Sequence, residues 1–190
     1  MSALSSIECV VVLMLENRSL DHMLGYLYAD SGNVSPSGQP FEGLTGNESN
    51  PDASGNPVTV FQITQATPNA YLMPGADPGE GYMATNQQLY GTDADPAEGA
   101  AAAMSGFISD FVYTIGWEST ESGWSIVSGT TGNDIMGCFT PEALPVLSGL
   151  ARGYAVCDHW FGSAPTETLP NRAFLGAGTS GYVSLGNNPG

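Results

Sequence analysis

The sequence predicts an α/β fold, a three-layer α/β/α sandwich with a mainly parallel sheet, and three observations lead there. Residues 7–15, Ile-Glu-Cys-Val-Val-Val-Leu-Met-Leu, form an almost continuous β-branched apolar run, the pattern of a central strand covered on both faces. Met104, Phe107, Ile108, Phe111 and Ile115 recur at three and four residues, which gives a helix with one buried face. Strand-like and helix-like segments alternate along the chain, the order that builds a parallel sheet with helices packed on it.

Each element has a local reason. Ser19 and Asp21 open a short helix through about Tyr28, which the following Gly/Ser/Asn run ends. From about 30 to 81 the chain is rich in Gly, Pro, Asn and Ser, with one strand-like piece at Val58–Ile63. A long ordered excursion over the active face is expected there. A second helix is expected over Tyr82–Tyr90, and a third from Asp95-Pro96, with Asp as cap, Pro in the first turn and Ala100–Ala103 inside it. A fourth starts at Thr140-Pro141-Glu142 and runs to about Arg152 with Leu144, Leu147 and Leu150 inward. Tyr154–Cys157 reads as a short strand, and Pro170-Asn171-Arg172 opens a fifth helix. The whole of 1–190 is expected to be one domain.

Nineteen acidic residues stand against three basic ones, for a net charge of -16. A nucleic-acid backbone or an anionic membrane surface would be repelled by such a chain, whereas divalent cations suit it. There is no lysine; the arginines are Arg18, Arg152 and Arg172, and the histidines His22 and His159. Most of these scarce groups fall within 16–22, 158–159 and 168–172, which marks those segments for chemistry. The odd set Cys9, Cys138 and Cys157 reads as buried thiols rather than a disulfide frame. The first apolar run lacks a preceding basic region and is too short for a membrane span, so no signal peptide or transmembrane segment is expected. The compartment stays open: cytoplasmic, or exported after loss of a leader.

Three constellations could carry chemistry. Glu16-Asn17-Arg18-Ser19-Leu20-Asp21-His22 follows the first strand, at the sheet edge where α/β folds bind ligands. The Glu16 carboxylate and Asn17 amide are hard oxygen donors for a divalent cation, although taken alone the segment reads first as a strand end followed by a helix cap. Asp158-His159-Trp160-Phe161 offers His159 as a ligand, a phosphate contact or a structural histidine. In Thr166-Glu167-Thr168-Leu169-Pro170-Asn171-Arg172, Thr168 stands at the mouth of a helix, where free N–H groups favour an anion. A hydroxyl there can attack phosphorus while Arg172 holds non-bridging oxygens; an isolated Thr-x-Pro by itself reads as a helix cap.

Five segments in order, Glu-Asn-Arg-Ser-x-Asp-His-Met-Leu-Gly, Asp-Ile-Met-Gly-Cys-Phe, Leu-Pro-Val-Leu, Cys-Asp-His-Trp-Phe and Thr-x-Pro-Asn-Arg, resemble the phosphoesterase family of bacterial phospholipases C and acid phosphatases. The resemblance spans 7–181 and implies an alkaline-phosphatase-like fold and hydrolysis through a phosphorylated Thr or Ser. It implies Glu16, Asn17 and Thr168 as ligands of a divalent metal ion and Thr168 as nucleophile. Arg172 and His159 join Thr168 as expected catalytic groups, and Asn171 and Arg172 as expected substrate contacts. Two departures stand out. Asp77-Pro78-Gly79-Glu80 carries Glu80 where the family pattern has a histidine. The acidic pair with a following histidine, which the family's later half supplies, has no counterpart here. The domain is therefore expected to be incomplete, with a C-terminal half or a partner chain supplying acidic ligands. The alternative is a non-catalytic truncated relative acting as a binding or assembly subunit.

Overall fold

The computed structural model describes residues 6–15, 18–121, 123 and 125–181. Its first helix, α1 (Leu20–Leu24), is capped by Ser19, whose hydroxyl accepts from the His22 backbone N–H at 3.1 Å. The excursion after it is ordered and contains β1 (Ser49–Pro51), β2 (Pro57–Thr59) and β3 (Phe61–Ile63). Helices α2 (Tyr82–Tyr90) and α3 (Phe107–Glu118), strand β4 (Gly137–Phe139), and helices α4 (Pro145–Gly153) and α5 (Thr168–Ala177) follow. β1 and β2 pair antiparallel, with Asn50 opposite Val58, and β3 and β4 pair parallel, with Gln62 opposite Cys138. The class is α/β, with one small parallel and one small antiparallel sheet among the described residues.

Apolar burial holds these pieces together. Leu24, Leu27, Tyr28 and Phe41 form one cluster, which Leu147 and Ala151 of α4 cover. Ile63, Ala70, Phe139 and Ala143 form a second around the parallel pair. Met23 of α1 packs against both, so α1 lies between the β3–β4 pair and α4.

The expected second helix appears over the residues foreseen, and the third is shorter. α3 begins at Phe107 rather than Asp95, and 100–103 is non-helical and exposed. An alanine run has the propensity but no apolar side chain to bury, and short helices are marginal in water without packing. The α3 start is instead set from a distance. Asn50 of β1, 2% exposed, accepts from the Ile108 N–H at 3.2 Å and donates to the Met104 carbonyl at 2.7 Å. Ile108, Phe111, Thr114 and Glu118 form the buried face.

Other expectations are corrected. Residues 7–15 are not a covered central strand: they join no strand ladder among the described residues and are exposed throughout. A strand is held by its ladder, and no described strand pairs with this run. Tyr154–Cys157 is likewise not a strand, and Leu150, expected inward, is exposed. α4 starts at Pro145, past the expected Thr140. Of the three thiols expected to be buried, only Cys138 is; Cys9 and Cys157 are exposed, and all three are free. α5 opens two residues before Pro170, which sits buried in its first turn, where the missing N–H costs no helical bond.

Candidate functional site

One open cleft of about 1470 Å³ collects most of the marked residues. Thr168, Asn171 and Arg172 line it from α5, and Arg18, Asp21 and His22 from around α1. Met14, Leu15 and Arg18, which flank 16–17, also line it. Glu16 and Asn17 themselves lie outside the described residues. An Arg172 Nη2–H points at the Met14 carbonyl at 3.4 Å, bringing the end of the first apolar run alongside α5.

Thr168 is the first residue of α5, and Glu167 holds the cap position without a side-chain cap bond. No hydrogen bond involves the Thr168 hydroxyl among the described residues, so it is not spent on capping. Two residues earlier, the Thr166 hydroxyl oxygen is buried in the same wall with no hydrogen-bond partner among the described residues.

Asn171 has a different task from the expected substrate contact. Its Nδ2 donates to the carbonyls of Ala164, Thr166 and Glu167 at 3.1, 2.9 and 3.0 Å, and its Oδ1 accepts from the Ala164 N–H at 3.1 Å. The amide folds the 164–167 segment back onto α5 and so fixes the approach to Thr168. With two N–H groups already shared among three carbonyls, it has no donor left for a ligand.

His159 is exposed, and its Nδ1 lies 3.2 Å from Asp158 and its Nε2 3.8 Å from Glu42. Asp158 in turn accepts from the Glu42 N–H at 2.8 Å, which holds its carboxyl below the usual range. His159 is not among the residues that line the cleft.

Sequence reasoning marked His22 only as part of a segment; its role appears in three dimensions. Its ring is 7% exposed and meets Phe139 edge-on at 5.0 Å. Nδ1 lies 3.0 Å from the Gly137 carbonyl, which can only accept, so Nδ1 carries the proton. Nε2 then has a lone pair, which faces Arg18 Nη1 at 3.3 Å. Burial and the Arg18 charge lower the His22 pKa to about 4. The sequence signal was the four-residue spacing of Arg18 and His22, which brings the two together across the start of α1.

The cleft is acidic apart from its two arginines: Asp21, Glu48, Glu80, Asp110 and Glu167 also line it. Burial raises the pKa of Asp21, with Glu48 and Glu42 adding to the shift. Burial also raises Asp110, although it accepts from Gln88 Nε2 at 2.7 Å and from the Gly79 N–H at 3.2 Å. A Cβ on Gly79 would fall 2.7 Å from Asp110 Oδ1, so the turn before Glu80 needs glycine to approach α3.

The family model described as the Phosphoesterase family matches residues 7–189. The chain belongs to this family. It is similar to non-specific phospholipase C6 of Arabidopsis thaliana, at 34% identity over 93% of this chain and 28% of that protein. It is also similar to non-specific phospholipase C1 of the same plant, at 34% identity over 92% of this chain and 28% of that protein. Non-specific phospholipase C3, also from Arabidopsis thaliana, is 33% identical over 94% of this chain and 31% of its own length. The chain thus spans less than a third of the curated relatives it matches. Among its described residues no group of three His, Cys, Asp or Glu side chains could hold a metal ion, and no helix is long and apolar enough to cross a membrane.

Proposed function

We propose that this phosphoesterase chain carries part of a metal-dependent phosphoester-hydrolysing site, acting on a phosphomonoester or a phospholipid head-group diester through a phosphothreonine. The observation that carries it is the Thr168 hydroxyl, uncommitted among the described residues at the start of α5, in a cleft that Arg172 and both flanks of 16–17 also line.

The donor chemistry fits a hard divalent cation. Glu16, Asn17 and Thr168 would hold it with carboxylate, amide and hydroxyl oxygens, and the buried, unpartnered Thr166 oxygen marks a wall short of a donor or a cation. A bound divalent ion polarises the phosphoryl group and lowers the pKa of a nearby hydroxyl. Thr168 Oγ1 attacks phosphorus, the alcohol leaves, and water later cleaves the phosphothreonine. Arg172 binds non-bridging oxygens as their charge grows, Asn171 keeps the segment before Thr168 in place, and the cleft-side steps leave His159 aside. The acidic lining raises the cost of an anionic substrate, which favours a zwitterionic or neutral head group.

Three hard donors leave a divalent ion short of the six or more oxygens it prefers. The remaining acidic ligands come from a C-terminal half or a second chain. The chain's share of its relatives' length and the exposed run 7–15 both support that completion. The test is hydrolysis of a chromogenic phosphomonoester by the 190-residue chain, alone and joined to the missing half. Little turnover alone and chelator-sensitive turnover when joined is the expected result. Robust turnover by the chain alone would remove the need for a second half. No turnover in the joined form would leave a binding or assembly role.

A further inference from the structure

The geometry points to Arg18 as a second phosphate-binding residue of the cleft, presenting the Nε–Nη2 edge of its guanidinium and aimed by His22. This inference rests on the cleft being a phosphoester site.

Arg18 is exposed on the cleft wall, yet one end of its guanidinium is fixed. The two Nη1 hydrogens go to the Met73 carbonyl at 2.8 Å and to His22 Nε2 at 3.3 Å. Both acceptors are neutral, so neither cancels the charge, and no carboxylate pairs with Arg18 among the described residues. With Nη1 spent, the donors left are Nε–H and the two on Nη2. Those groups form the side-on fork that matches two oxygens of a carboxylate or phosphate.

The chain makes this arrangement informative. Nineteen acidic residues surround three arginines, and an arginine in such a chain would ordinarily be drawn into an ion pair. Arg152 is spent elsewhere, donating to the Leu27 carbonyl at 2.7 Å and lying over the Tyr28 ring at 5.9 Å. The other two, Arg18 and Arg172, converge on the same cleft as Thr168.

His22 is the positioning residue. Its Nδ1–H is anchored on Gly137 at the start of β4, and its ring is wedged edge-on against Phe139 two residues on. A ring fixed at both points holds its Nε2 lone pair in one direction, so the Nη1 end of Arg18 has one place to go. A protonated ring would offer an N–H instead and repel the guanidinium. The group that orients Arg18 is therefore useful only while neutral, and burial keeps it so.

The test is the affinity of the 190-residue chain for inorganic phosphate at low salt, by calorimetry or amide chemical-shift titration. Arg18→Gln should raise the Kd at least about tenfold, and Arg18→Lys, which keeps charge without the fork, by roughly half that factor on a log scale. Arg152→Gln, which removes the same charge outside the cleft, should stay within about twofold. His22→Phe should weaken binding several-fold while His22→Gln, which can still accept, restores it. Where His22→Phe does not fold, the ring ¹⁵N shifts of the unaltered protein decide. A proton on Nδ1 at neutral pH supports the positioning role, and a proton on Nε2 overturns it. If Arg18→Gln binds phosphate normally while Arg172→Gln does not, Arg18 is overturned and the cleft stands. Equal losses in Arg18→Gln and Arg152→Gln would reduce the effect to net charge and overturn it too. A wild-type chain that binds no phosphate even at millimolar concentration would overturn the phosphoester cleft itself.

Discussion

His22 Nε2 accepts from Arg18 Nη1 at 3.3 Å while the opposite nitrogen of the same ring donates to the Gly137 carbonyl at 3.0 Å. One side chain thereby ties the entry of α1 to the first residue of β4, and it can do so only as a neutral imidazole. The Arg18 charge beside the ring opposes its protonation, and so does its burial.

That relationship sets a pH dependence. The folded His22 pKa is lowered from 6.5 to about 4, so the unfolded chain binds the proton more readily. The stabilisation is fully present above pH 6.5 and is lost as pH falls through the window down to about 4. Its size is on the order of 3 kcal/mol. Asp21 and Asp110 work the other way, since a raised folded pKa favours the fold at low pH and loses that contribution as pH rises. Urea melts across this range should therefore show a steeper acid loss for the wild type than for His22→Gln, which does not titrate. Parallel curves would mean that His22 is protonated in the folded protein.

Thr168 separates rate from stability. Its hydroxyl makes no cap bond, so Thr168→Ala should move stability by less than the roughly 1 kcal/mol a lost cap costs. In the completed enzyme the same variant should abolish turnover, and Thr168→Ser should keep part of it. Turnover by the alanine variant near that of the wild type, with an unchanged melting curve, would take Thr168 out of the mechanism.

Asn171 should behave in the opposite way. Asn171→Ala strips partners from four backbone groups at once, for a loss on the order of 2 kcal/mol. Faster hydrogen exchange at the Ala164 amide should accompany the lower melting temperature. A silent Asn171→Ala would show that the 164–167 segment is held by something else.

Asn50→Ala tests the remote cap of α3. It orphans the Ile108 N–H in a buried site and the Met104 carbonyl in a partly buried one, with an expected cost of about 1–3 kcal/mol. Exchange protection should fall first in the opening turn of α3, and uniform loss across the domain would point to a different role.

Local chemistry was legible in the sequence, and long-range chemistry was not. Ser19 at the start of α1 and the span Tyr82–Tyr90 were legible, and the apolar spacing from Phe107 to Ile115 marked a helix though not its start, because caps and apolar spacing act over one or two turns. The order of the motif segments was enough to indicate the family. What the sequence by itself could not determine were outcomes that depend on a distant partner. Ile7–Leu15 has the composition of a central strand, yet a strand exists only beside another strand. Ala100–Ala103 has helix propensity but nothing to pack on, while Asn50 decides where α3 begins from more than fifty residues away. Likewise Asn171, which as a residue type could contact a substrate, proves to be committed to backbone, and the fork of Arg18, unpaired among the described residues, is aimed only because His22, Gly137 and Met73 meet around it. Those choices belong to tertiary structure, since a hydrogen bond is assigned by where its partner ends up and not by which residue offers it.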